Sequence, residues 1–207
     1  MTEMRLLAVT AGNLENLELR LSKNGIYGII GRNGAGKSTL FTAINGELKL
    51  KRGEISGFSR VAYVPNLAIF DENLTANDYI AALSKEAQQK AAKLIENFSA
   101  ERFFSGKIKK YSLGMKEIFA FIMTLSLESD LVIIDELMNG MDNGMRQLAF
   151  SYLQLISKDK IVLLTSHILE EVFRFSDKVY LLKHSELHEI RDIKDAILEI
   201  NDSPVFI

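Results

Sequence analysis

The sequence predicts an α/β domain built on a largely parallel sheet, and three observations carry that expectation. Short apolar runs alternate with segments of helical periodicity along most of the chain. One run, Leu131-Val132-Ile133-Ile134, is apolar at four successive positions, as a central parallel strand covered on both faces requires. A glycine-rich segment, Gly31–Thr39, stands between an apolar run and a helical pattern, so a strand there gives way to a helix through a tight loop.

The elements follow in order. Leu17–Leu21 alternates apolar and polar residues like a half-buried strand, and Lys23-Asn24-Gly25 reads as a hairpin turn, since Asn and Gly accept positive φ. Ile26–Ile30 is the next strand and Lys37–Asn45 a helix. Further strands are expected at Val61–Val64, Leu131–Asp135, Ile161–Thr165 and Val179–Leu182. Helices are expected at Met115–Leu127, Gly144–Ser157, Ile168–Phe175 and Asp192–Ile200. Between Leu67 and Tyr111 the alternation breaks. There Ala87, Ala91, Leu94, Ile95 and Phe98 recur on one helical face, so residues 67–114 are expected as a small helical lobe inserted between core segments 1–66 and 115–207.

Composition narrows the function classes. The chain has 207 residues, 47% hydrophobic and 25% charged, which suits one ordinary domain with a sizeable core. Its net charge of −2 gives no overall signal for nucleic acid, and the short basic cluster Lys107, Lys109, Lys110 reads as a solvated turn. With no cysteine, disulfides, thiolate metal sites and Cys nucleophiles are excluded, and a cytosolic setting is permitted. The first residues do not have the basic-then-apolar form of a signal peptide. The most apolar stretch, Ile118–Leu127, is far shorter than the roughly 18 residues of a membrane span.

The segment Gly31-Arg32-Asn33-Gly34-Ala35-Gly36-Lys37-Ser38-Thr39 has the spacing of a phosphate-binding loop. Glycines let the backbone wrap phosphate oxygens where a Cβ would clash. The loop amides form an anion nest, and the following helix adds the positive end of its dipole. Lys37 would reach the β- and γ-phosphates, and the Ser38 hydroxyl would ligate Mg²⁺. Such a loop needs an acid for the metal and a group to orient water. Asp135 and Glu136, at the end of the Leu131–Asp135 strand, supply both: Asp135 for the Mg²⁺ shell, Glu136 as general base.

On these residues the chain resembles the ATP-binding subunits of ABC transporters over nearly its whole length, from about Leu6 to Leu187. Tyr111-Ser112-Leu113-Gly114-Met115-Lys116 falls where that family's signature lies, and Ser112–Lys116 is similar to a variant of bacterial drug, bacteriocin and peptide exporters. Asn139-Gly140-Met141-Asp142 resembles the family's aspartate loop, and Thr165–Glu171 the switch-histidine segment, with His167 as the histidine. The fold so implied is a P-loop NTPase with a largely parallel central sheet, N-terminal antiparallel β strands and an inserted helical lobe.

The resemblance further implies ATP and Mg²⁺ as cofactors, with catalysis by Glu136, His167 and Lys37. It implies nucleotide contacts from Gly31 through Thr39, and also from Asn66, Ser112, Gly114 and Asp142. Metal contacts would come from Ser38, Asp135 and Asn66. Ser112 would serve a second chain's nucleotide, because two such chains pair head to tail. The partners are then that second chain and a separate transmembrane subunit, with the protein peripheral on the inner face of the cell membrane.

Four departures from the family pattern stand out. No aromatic occurs in Ala8–Asn13 to stack on adenine. The usual loop glutamine is Asn66. Glu117-Ile118 replaces the Gln-Arg that often follows the signature, and Leu137-Met138 replaces Pro-Thr. These positions concern base recognition and coupling, so slow or partner-dependent turnover is expected. Two other readings stand beside the transport motor. One is a soluble ATPase of the same type acting in assembly or DNA repair, although the lobe shows neither sustained heptads nor a basic stripe. The other is a low-turnover regulatory subunit. The chain's end soon after its last expected strand reads as a motor without an added regulatory domain.

Overall fold

The computed structural model describes residues 3–201. In chain order the N-terminal part holds β1 (Met4–Ala11), β2 (Leu14–Leu21), β3 (Gly25–Ile30), α1 (Lys37–Ile44), β4 (Arg52–Ser56) and β5 (Val61–Tyr63). The helices α2 (Ala76–Ala81), α3 (Lys85–Asn97), α4 (Glu101–Phe104) and α5 (Leu113–Ser126) follow. The chain then alternates through β6 (Leu131–Asp135), α6 (Asn143–Ile156), β7 (Ile161–Thr165), α7 (Leu169–Phe175), β8 (Lys178–Lys183), β9 (Glu186–Ile190) and α8 (Ile193–Asn201).

Two sheets result. The larger has the order β5-β6-β7-β3-β8-β9 and is parallel except for the β8–β9 pair. The smaller, β2-β1-β4, is antiparallel. Burial explains the division. All six residues of β3 are buried, which suits a strand enclosed on both faces, whereas β2 buries one face and exposes Glu18 and Arg20. Leu14 and Leu17 both point inward although three apart, because Asn16 takes φ +53° and the register slips between them.

This overturns the expected hairpin at Lys23–Gly25. β2 pairs with β1, and β3 pairs with β7 and β8 in the other sheet, so the segment is a passage between sheets. Its far end is tied by a hydrogen bond from the Ile26 amide to Asp177 Oδ2 at 2.8 Å. Strands β1, β4 and β9 were not separately located from sequence. β4 is mostly exposed and β9 half polar, so neither shows the apolar run that marks a buried strand.

In the segment 67–114, α3 buries Ala87, Ala91, Leu94 and its cap Phe98, the face read from sequence. Ser84 caps its start by accepting the Ala87 amide at 3.2 Å, and Thr75 and Asp78 form a reciprocal capping box on α2. The lobe packs on α5 through aromatic pairs, Phe70 with Phe119 at 4.5 Å and Phe98 with Phe121 at 5.6 Å between ring centroids. The very apolar stretch beginning at Ile118 is therefore a helix buried on all sides. Its polar residues are satisfied internally: Thr124 donates to Ala120 O at 2.8 Å and Ser126 to Ile122 O at 2.6 Å. Among the described residues no helix is long and apolar enough to cross a membrane.

Candidate functional site

The parallel strands all point their C-terminal ends the same way, so the residues that follow the neighbouring β3, β6 and β7 meet at that end of the large sheet. Opposite each other in register, Asp135 ends β6 and Thr165 ends β7. The loop after β3 holds a backbone that only glycine accepts readily: Gly36 has φ +108°, and a Cβ there would lie 2.6 Å from Leu14 Cδ2. Gly36 also caps α1 without a side-chain acceptor, which leaves the first-turn amides of α1 directed at the loop's hollow. The Lys37 ammonium folds over that hollow and donates to Gly31 O at 2.9 Å and Arg32 O at 3.2 Å.

Four side chains converge on the Asp135 and Glu136 carboxylates. Ser38 Oγ donates to Asp135 Oδ2 at 3.0 Å, and the Tyr63 hydroxyl donates to the same oxygen at 3.3 Å. Thr165 Oγ1 donates to Asp135 Oδ1 at 2.8 Å. Burial and the neighbouring carboxylate push the Tyr63 phenol well above its usual range, so it remains a neutral donor. Next in sequence, Glu136 takes φ +54°, a conformation that costs a non-glycine residue on the order of 1 kcal/mol. Its amide is held by Thr165 Oγ1 at 2.9 Å and Thr165 O at 3.3 Å, and that grip aims its carboxylate into the cleft. There His167 Nε2 lies 2.8 Å from Glu136 Oε2.

Lys37, Ser38, Asp135, Glu136 and His167 are thus brought together, with Gly31–Thr39 forming the wall. The other expected site residues lie elsewhere. Asn66 turns its amide oxygen back to accept its own Ala68 amide at 2.9 Å. Ser112 and Asp142 cap α5 and α6, accepting the Met115 amide at 3.3 Å and the Met145 amide at 2.9 Å. Gly114 packs against Gly140, where an added Cβ would come 2.6 Å from Gly140 O. None of these four lines the cleft of this chain's own loop. The sequence names Thr165 only as the start of the switch-histidine segment and gives no site role to Tyr63 or to Asn13, whose Nδ2 donates to Gly34 O at 3.1 Å. Adjacency of Tyr63 and Thr165 to strand ends was the available signal, but strand order was not.

Comparison with known proteins places this geometry. The family described as ABC transporter matches residues 14–139. The chain belongs to that family. ABC ATPases hydrolyse ATP for transport, and the site just described is of that kind. A solved "ATP binding subunit of ABC transporter" superimposes with a TM-score of 0.83 at 25% identity, covering 98% of this chain and 95% of that one. An uncharacterized ABC transporter ATP-binding protein of Bacillus subtilis, YcbN, is 28% identical over 88% of this chain and 66% of its own length. The O-antigen export system ATP-binding protein RfbB of Klebsiella pneumoniae is 29% identical over 86% of this chain and 76% of its own length. That relative is an O-antigen exporter by name, which departs from the drug and peptide exporters suggested by Ser112–Lys116.

The donor set suits magnesium. A hydroxyl and a carboxylate 3.0 Å apart offer hard oxygen ligands, and Mg²⁺ commonly binds through one or two carboxylates plus substrate phosphates and water. No cluster of three His, Cys, Asp or Glu is needed for that, and none occurs among the described residues.

Proposed function

We propose that this chain is the ATP-binding and ATP-hydrolysing motor of an export system, acting as a head-to-tail dimer on a separate membrane subunit. A surface polysaccharide or related polymer is the cargo class favoured by the O-antigen relative. The observation that carries the motor reading is the meeting of Lys37, Ser38, Asp135, Glu136 and His167 at one end of the sheet.

Each residue has a role that its position supports. Amides of the Gly31–Thr39 loop and of the α1 terminus bind phosphate oxygens. Lys37 exchanges the carbonyls it now contacts for β- and γ-phosphate oxygens, a substitution that keeps its donors satisfied as the nucleotide enters. Ser38 and Asp135 would hold Mg²⁺, which when bound neutralises charge on the β- and γ-phosphates. Glu136 accepts a proton from, or orients, the attacking water. His167 Nε2 donates to the Glu136 carboxylate and fixes its direction. Tyr63 and Thr165 hold Asp135 so that one oxygen faces Ser38.

In a head-to-tail pair Ser112, Gly114 and Asp142 would face the nucleotide of the second chain, which agrees with their lying outside the cleft of their own loop. With its oxygen engaged by Ala68, Asn66 reaches the metal only after its local cap opens. That favours turnover that depends on the membrane partner, whose docking would move this segment.

The Glu136→Gln variant tests the proposal. The amide keeps the shape of the side chain but cannot take a proton, so ATP should trap a stable dimer visible by size exclusion. A variant that stays monomeric at millimolar ATP would sink the head-to-tail reading.

A further inference from the structure

Glu117 is the one charged side chain among the buried described residues, 3% exposed on the second turn of α5. A carboxylate is rarely enclosed unless it is paired or hydrogen-bonded. Its Oε2 accepts the Gly140 amide at 2.7 Å, and the Met141 amide also bears on it. Both amides belong to the loop that joins Glu136 to Asp142. The fit between that loop and α5 is close on both sides. A Cβ on Gly114 would strike Gly140 O, and one on Gly140 would lie 2.7 Å from Leu113 Cγ and 3.2 Å from Glu117 Oε2.

The loop's other flank is also tied. Arg146 of α6 donates from Nη1 to Met141 O at 2.9 Å and from Nε to Glu171 Oε1 of α7 at 3.1 Å. One connected set of contacts therefore runs from the start of α5, through residues 140 and 141, to the helix that follows His167.

We propose that Glu117 is a positioning residue whose carboxylate locks the 136–142 loop onto the start of α5, so that ATP turnover is proton-sensitive through this one side chain. The inference rests on the motor reading above, in which Ser112, Gly114 and Asp142 meet a second chain's nucleotide. An ionised carboxylate accepting backbone amides makes charge-assisted bonds, roughly twice as strong as neutral ones. Protonation replaces them with weaker contacts and frees residues 140 and 141 to shift.

The charges around Glu117 are few. Arg146 of α6 favours its ionised form but is shared with Glu171 of α7. Lys116, its neighbour on α5, is turned to Glu72 at 2.7 Å, and Asp142 of the loop caps α6. Burial is the largest influence and pushes the Glu117 carboxyl up to about 7, against the pull of the two amides and Arg146. The ionisation therefore falls where a modest change in pH alters the clamp.

Two measurements on the full chain test this. The first is ATP turnover from about pH 6 to pH 8 for native protein and Glu117→Gln. A group titrating near 7 changes its ionised fraction about tenfold over that window. Native turnover should rise with pH by several-fold through this ionisation, and Glu117→Gln, which keeps an acceptor but cannot ionise, should lack that component. The second is hydrogen exchange at the Gly140 amide of native protein, corrected for intrinsic rate. Its protection against local openings that leave Glu117 enclosed should rise from pH 6 to pH 8, because only the amide bonds are then lost, even though global stability falls as the buried carboxyl ionises. A variant with the native pH profile, or Gly140 protection that is flat or falls with pH, overturns the proposal. Absence of ATP turnover at every pH in the chain without its membrane partner leaves the exchange measurement alone to decide the clamp, whereas failure of Glu136→Gln to form a dimer with ATP counts against the motor reading.

Discussion

Thr165→Val isolates the polar clamp behind the two acidic residues. Thr165 is 2% exposed, and valine has nearly its shape, so the substitution opens no cavity and removes only the hydroxyl. Two contacts are lost: the donation to Asp135 Oδ1 at 2.8 Å and the acceptance of the Glu136 amide at 2.9 Å. A hydrogen bond to a charged acceptor contributes about 1.5–3 kcal/mol. The Glu136 amide retains Thr165 O at 3.3 Å, so its penalty is small and the sum is about 2 kcal/mol. With a urea slope of roughly 2–3 kcal/mol/M, the unfolding midpoint should fall by about 0.7–1 M. Turnover should fall by about tenfold, since 1.4 kcal/mol of lost alignment in the transition state is worth that much. Nucleotide binding without metal should be unchanged, because the Gly31–Thr39 loop is untouched. Thr165→Ser, which keeps the hydroxyl, serves as the control. A midpoint that moves by less than about 0.2 M, with turnover unaltered, would refute the reasoning.

Other outcomes follow from the same contacts. Lys37→Ala should abolish binding of ATP, measured by equilibrium titration, whereas substitution at His184, exposed in the turn between β8 and β9, should leave it unchanged. Gly114→Ala should lower the thermal midpoint by an amount equivalent to about 1–3 kcal/mol, because the new Cβ meets the Gly140 carbonyl at 2.6 Å. An unchanged or higher midpoint, as helix propensity alone would give, would show that the loop is not seated on α5. Glu117→Gln should alter stability in a pH-dependent direction. Because the folded carboxyl is raised from 4.5 to about 7, the contribution of Glu117 to stability is full below about pH 4.5 and is lost as pH rises through about 7. The variant should therefore match native protein near pH 4.5 and exceed it by about 2–3 kcal/mol at pH 8, read from denaturant curves at both values.

Two kinds of information separate in this chain. The sequence by itself determined the phosphate loop, because Gly36 and Lys37 answer to local backbone requirements that depend on spacing along the chain. It also determined the buried strand ending in Asp135 and the amphipathic face of α3, since strand and helix periods need no knowledge of distant partners. Tertiary structure alone decided which strand lies beside which. Lys23–Gly25 has hairpin composition yet carries the chain between sheets, because β7 and β8 take both hydrogen-bonding sides of β3 and leave none for β2. The same cause hid the supporting residues. Tyr63 and Thr165 reach Asp135 only because β5, β6 and β7 are neighbours in the sheet, and Glu117 meets Gly140 only because α5 passes beneath the loop. Contacts between residues far apart in sequence depend on strand order and helix packing. Neither leaves a mark in the spacing of residues along one chain.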